Sequence, residues 1–205
     1  MRPKFSAMIL GAAMVIGLST ASQGATVGPG GFDNGWATEI TYDPNALRGV
    51  TNDRDNPLNA LGEADSKFFE IGFGSTIDLT FGKNFASKST VFEVTFNSVL
   101  AFPEEVELWV GKNNVFSYVA NVSNLGAQNS DGGATVVLPV GQDFDTVRLI
   151  DVSPLTSTAE TINGVPVGGF DVNAVRVAPV PLPAAGLLLL AGMGGLALVG
   201  RRKPS

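Results

Sequence analysis

The sequence contains no cysteine and no histidine among its 205 residues. Disulfides, thiolate nucleophiles, the usual zinc sites and every histidine-based catalytic triad are thereby excluded. A fold made from this chain rests on its apolar core, helped at most by a metal held through oxygen ligands. Large aromatics other than phenylalanine are scarce, with two Trp and two Tyr against 13 Phe. Positive charge is also scarce. The net charge is −6, and five of the 13 basic residues (Arg2, Lys4, Arg201, Arg202, Lys203) sit in terminal segments that hold none of the 19 acidic ones. The middle of the chain is therefore more acidic than the total implies. Nucleic acid and anionic membrane surfaces are poor partners for such a domain.

The length suits one globular domain with targeting segments. Met1-Arg-Pro-Lys4 is a short basic stretch, followed by the uncharged apolar run Phe5–Leu18 and the small and polar residues Ser19–Ala25. That order predicts a signal peptide over residues 1–24, cleaved after Gly24 or Ala25. It implies the Sec export machinery and signal peptidase as partners. The other end has three parts in sequence. Val180-Pro181-Leu182-Pro183-Ala184 is a proline-stiffened extended stretch, 184–200 is an uncharged apolar helix candidate of marginal spanning length, and Arg201-Arg202-Lys203 is a basic stop. Basic residues stay cytoplasmic, so this arrangement predicts an ectodomain, residues 25–179, outside the inner membrane.

These last 26 residues, with the motif at 180–184, the glycine-rich apolar helix and the basic tail 201–205 in that order, resemble the VPLPA-CTERM variant of the PEP-CTERM protein-sorting domain. The resemblance implies an exosortase substrate, recognised at Val180–Ala184, held transiently in the inner membrane and then placed at the cell surface or in an extracellular matrix.

Between the two ends the pattern is short alternating runs split by turn residues. Strands are expected at Ala37–Tyr42, Phe68–Phe73, Thr76–Phe81, Thr90–Phe96, Val106–Val110, Phe116–Val122, Ala134–Leu138, Thr146–Ile150 and Phe170–Val177. In Thr76–Phe81 the residues Ile77, Leu79 and Phe81 share one face and Thr76, Asp78 and Thr80 the other. Turns are expected at Asp131-Gly132-Gly133 and Asn163-Gly164. The whole predicts an all-β, antiparallel, jelly-roll-like β-sandwich. Asn59–Asp65, Phe69–Gly74, Val147–Val152 and Gly169–Val175, in that order, are similar in outline to jelly-roll ectodomains of PEP-CTERM-type surface proteins and to discoidin or galactose-binding modules.

Candidate chemistry is sparse. Asp53 and Asp55, two apart in Thr51–Asn56, offer hard oxygen ligands, and Asp171 near the last strand is a third; together they are the candidate site for a structural Ca²⁺. The alternative for the Asp-x-Asp segment is a solvated turn. Glu104, Glu105 and Glu107 are the carboxylates nearest one another at a strand start, but neighbours in a strand face opposite ways, so Glu104 and Glu105 make a poor catalytic pair. Glu63 with Glu70 or Asp65 is no better motivated. Trp109 follows Leu108 in an apolar strand and is expected to pack in the core or at an edge; Trp36, in a glycine-rich entry, is more open to surface use. The reading is a non-enzymatic envelope or matrix protein with no catalytic residues. Its competitors are a carbohydrate-binding module tethering exopolysaccharide and, less well supported, an envelope glycoside hydrolase. An exposed aromatic beside polar groups on one sheet face would favour the first competitor.

Overall fold

The computed structural model describes residues 24–31, 34–94, 102–124, 133–155 and 160–180. The expected signal helix, the residues Pro181–Ala184, the apolar helix 184–200, the basic stop Arg201–Lys203 and the turn residues Asp131 and Gly132 lie outside them. Among the described residues no helix is long and apolar enough to cross a membrane.

The described residues form an antiparallel β-sandwich whose two sheets share one strand. The larger sheet runs β1 (Ala25–Val27), β2 (Glu39–Tyr42), β4 (Thr76–Glu93), β8 (Phe144–Asp151), β5 (Glu105–Lys112) and β6 (Val115–Ser123). Only the first part of β4 belongs to it, pairing Ile77 with Tyr42 on one side and with Leu149 on the other. The second part of β4 joins β11 (Asp171–Pro179) and β7 (Ala134–Val137), and β11 carries the short β3 (Phe69–Glu70). A hairpin of β9 (Glu160–Ile162) and β10 (Val165–Val167) stands apart. It turns at Asn163-Gly164 with φ of 53° and 78°, as a tight two-residue turn requires.

A strand that changes sheets must bend. The register of β4 against β8 jumps between Thr80 and Phe85, and Gly82 sits there with φ of 65°. Its missing side chain also admits the Gly31 backbone, against which an added Cβ would collide. The two strands expected at Thr76–Phe81 and Thr90–Phe96 are thus one 18-residue strand up to Glu93.

Alternation fills the space between the sheets. Ile77, Leu79 and Phe81 from β4 meet Val106, Leu108 and Val110 from β5 and Val147 and Leu149 from β8. Phe85, Val91, Val172, Val175 and Val177 come from the facing sheet, and all of these are at most 4 % exposed. Each such side chain contributes about 1.5–3 kcal/mol by leaving water. A smaller cluster packs Trp36 on Phe92, with Ala174 beside them. Arg48 ties the loop before β3 to this body. Its Nε donates to the Glu70 carbonyl at 2.7 Å, and its guanidinium lies over the Phe69 ring at 4.7 Å.

Candidate functional site

With Val106, Leu108 and Val110 turned inward, period-two geometry turns Glu105, Glu107, Trp109 and Gly111 outward on β5. The register carries this alternation across the larger sheet. Thr26 lies opposite Thr41, Thr41 opposite Asp78, Asp78 opposite Arg148, Arg148 opposite Trp109, and Trp109 opposite Tyr118. Six strands thus present one continuous row of side chains on the outer face.

Neighbours in the row hold one another. The Thr26 and Thr41 hydroxyls are 2.6 Å apart. Arg148 donates from Nε and Nη2 to the two Asp78 oxygens at 2.7 and 2.8 Å, a bidentate pair. The hydrogen bonds to Asp78 raise the Arg148 pKa despite its partial burial. Below Arg148 the Phe116 ring lies 3.7 Å from the guanidinium carbon. Phe116 comes from β6 opposite Gly111, and a Cβ on Gly111 would stand 2.6 Å from the ring. The glycine is what lets the ring lie across β5.

Trp109 and Tyr118 meet edge to face, with ring centroids 5.5 Å apart. Their polar atoms are already occupied: Trp109 Nε1 donates to Glu107 Oε2 at 2.9 Å, and Tyr118 Oη donates to Asn121 Oδ1 at 2.8 Å. Asn121 in turn donates to Glu105. Tyr118 is 50 % exposed and Trp109 half-buried. Fixed rings with spoken-for polar tips form a preorganised apolar platform beside a guanidinium–carboxylate pair. Two open grooves bound the face. One of about 330 Å³ is lined by Thr41, Tyr42, Ser75 and Asp78; another of about 370 Å³ is lined by Lys83, Asn84, Asn113 and Asp145.

The sandwich also buries carboxyl groups, in two different ways. Asp151 accepts from the Phe170 and Gly74 amides, at 2.8 and 3.3 Å, and from the Ser153 hydroxyl at 2.8 Å. Glu70 accepts from the Gly49 amide and from Arg54, at 2.7 and 3.0 Å. Both are met by donors. Glu93, Glu104 and Asp171 lie together, with Glu104 Oε2 accepting from the Asp171 amide at 3.4 Å. Burial first, then the charges of Asp171 and Glu93, push Glu104 up to about 10. Burial and the nearby Glu70, Glu93 and Asp151 raise Asp171 well above the ordinary range, against the pull of Arg54. Its Oδ1 is buried without a hydrogen-bond partner among the described residues. Glu104 therefore holds its proton at neutral pH.

The sequence-based candidates fall in separate places. Asp53 and Asp55 are exposed in the loop around a 3₁₀ turn, where Asp53 Oδ2 accepts from Asn56 at 3.0 Å, whereas Asp171 is buried at the start of β11. Among the described residues no group of three carboxylates is arranged to hold a metal ion. Gly24 lies beside Thr41 and Tyr42, Ala25 opens β1 opposite Tyr42, and Val180 is half-exposed after β11. Of the two tryptophans, the one more open to surface use by sequence, Trp36, is the buried one. Trp36 is 8 % exposed under Arg176, and Trp109 is the one on the outer face. The group Glu93, Glu104 and Asp171 lines neither groove.

No protein-family model matches the chain, and no curated protein does. Among solved structures the chain is similar to a GH31 family 32 carbohydrate-binding module bound to GalNAc. That match has 8 % identity and a TM-score of 0.34, and covers 78 % of this chain and 100 % of that one. It is also similar to the family 32 module from C. perfringens NanJ in complex with galactose, with 11 % identity and a TM-score of 0.29, covering 75 % and 93 %. At these scores the likeness lends no weight to a ligand or to a site.

Proposed function

We propose that the protein is a non-catalytic envelope or matrix component whose outer sheet face binds polysaccharide. One observation carries this reading: the row in which Trp109 and Tyr118 stand as fixed, partly exposed rings next to the bidentate Arg148–Asp78 pair. Sugar rings offer C–H faces to aromatics and hydroxyls to such polar pairs, so the two halves of the row match the two faces of a carbohydrate. Trp109→Ala and Tyr118→Ala should each weaken retention on a polysaccharide affinity gel about tenfold, the size of one aromatic contact. Both residues stand on the outer face, so melting should change little. Unchanged retention in both variants would remove the proposal.

Delivery follows from the terminal segments. We propose export by the signal peptide 1–24 and sorting by an exosortase at Val180–Ala184, with the chain anchored until that step. The motif, the apolar run and Arg201–Lys203 in series support this. Intact mass of the protein from its host should show both terminal segments gone; retention of Arg201–Lys203 would point to a simple tail anchor.

A further inference from the structure

Resting on that reading of the outer face, we infer that the row accepts an uncharged polysaccharide running across the strands and rejects polyanionic chains. Direction comes first. Neighbouring strands lie about 4.8 Å apart, so from Thr41 on β2 to Tyr118 on β6 the row spans about 19 Å, enough for several sugar rings. Along this line the contacts change from hydroxyl and carboxylate (Thr41, Asp78) through guanidinium (Arg148) to stacked rings (Trp109, Tyr118). Along β5 itself Trp109 is preceded by Glu107 and Glu105, and a chain lying that way would place its rings on carboxylates. The continuous platform therefore lies across the sheet.

Charge decides the class of chain. Around the row, β2, the first part of β4, β5 and β8 carry the carboxylates Glu39, Asp78, Glu105 and Glu107 against the Arg148 guanidinium, and Lys83 and Asp145 at the bounding groove add one charge of each sign. That guanidinium is already neutralised by Asp78 through both oxygens. Lys112 at the rim is paired with Asp143 at 2.7 Å. Glu107 and Glu105 flank the platform and are held there by Trp109 and Asn121. A uronate or sulfated chain laid on Trp109 would bring its negative groups against these carboxylates, whereas hydroxyls donate to them favourably.

The test uses the purified protein at low salt with two polymers of matched length, an uncharged β-linked glucan and a polyuronate, each followed by affinity electrophoresis. The glucan should be retained and the polyuronate at least tenfold less. Added salt should narrow that gap by screening repulsion. The double variant Glu105→Gln/Glu107→Gln, which keeps an acceptor for Trp109, should also narrow it. Polyuronate retained as strongly as glucan, or retained and then released by salt, would overturn the charge inference while leaving the face a glycan site. Retention of neither polymer would overturn the reading beneath it.

Discussion

The outer face and the carboxyl trio are both built from acids, yet they treat charge in opposite ways. On the face, Asp78 meets a guanidinium squarely, Glu107 an indole N–H and Glu105 an amide, all with water at hand. Toward the interior, buried Glu93 and Asp171 lie beside half-buried Glu104, and burial together with like charge raises the pKa of Glu104 and of Asp171. Even within the interior the rule splits, because Asp151 is surrounded by donors while Asp171 leaves an oxygen unmet. Burial raises the pKa of Asp151, Glu104 and Asp171 alike, and the donors around Asp151 oppose that rise, so burial and donors together set what a carboxyl contributes.

The sharpest break of this comparison is Asp151→Ala. It strips acceptors from the Phe170, Gly74 and Ser153 amides and from the Ser153 hydroxyl, at a residue only 2 % exposed. Leaving buried donors unmet costs about 1–3 kcal/mol each, partly recovered by water, so a loss of about 3–4 kcal/mol is expected in denaturant unfolding. A loss under about 1 kcal/mol would mean that these donors readily find other acceptors, and the distinction from the trio would fail.

Gly111→Ala tests the face with a smaller effect. The new methyl would press on the Phe116 ring from 2.6 Å, and the ring would have to leave its place beneath Arg148. Overpacking of this kind costs about 1–3 kcal/mol. Because Phe116 sits at the edge of the sheet it can yield, which puts the expectation at the low end. Glycan retention should fall with it. A variant of normal stability and retention would show that Phe116 does not position Arg148.

Much of this was legible in the sequence, and the failures have physical causes. Ile77, Leu79 and Phe81 announced their strand by period two alone, and Asn163-Gly164 announced its hairpin because few other pairs tolerate two positive φ angles. The continuity of β4 was hidden, since Gly82 and the exposed Lys83 and Asn84 look like a turn when they are a bend between sheets. The company of Leu108 leaves Trp109 between core and edge, although the inward set Val106, Leu108, Val110 already turns it outward. That signal was present and outweighed by hydrophobicity. The row itself needed register, which no local pattern contains: Asp78 and Arg148 are 70 residues apart. The carboxyl trio was equally out of reach, because it joins the end of β4, the start of β5 and the start of β11.

The subtlest prediction concerns Glu104. A folded-state pKa near 10, above the ordinary carboxyl value of 4.5, means that the folded protein binds this proton more tightly than the unfolded chain does. The corresponding stability is complete below about pH 4.5 and is lost progressively as pH rises toward 10. The raised Asp171 acts in the same direction. Melting temperature should therefore decline from pH 5 to pH 9. Glu104→Gln replaces a group already uncharged at neutral pH by a permanently uncharged one of the same shape. At neutral pH it should change stability by less than about 1 kcal/mol, yet it should flatten the alkaline decline. If the variant keeps the full slope, the proton resides elsewhere; if it unfolds at neutral pH, Glu104 is ionised in the native protein and the contrast between face and interior falls.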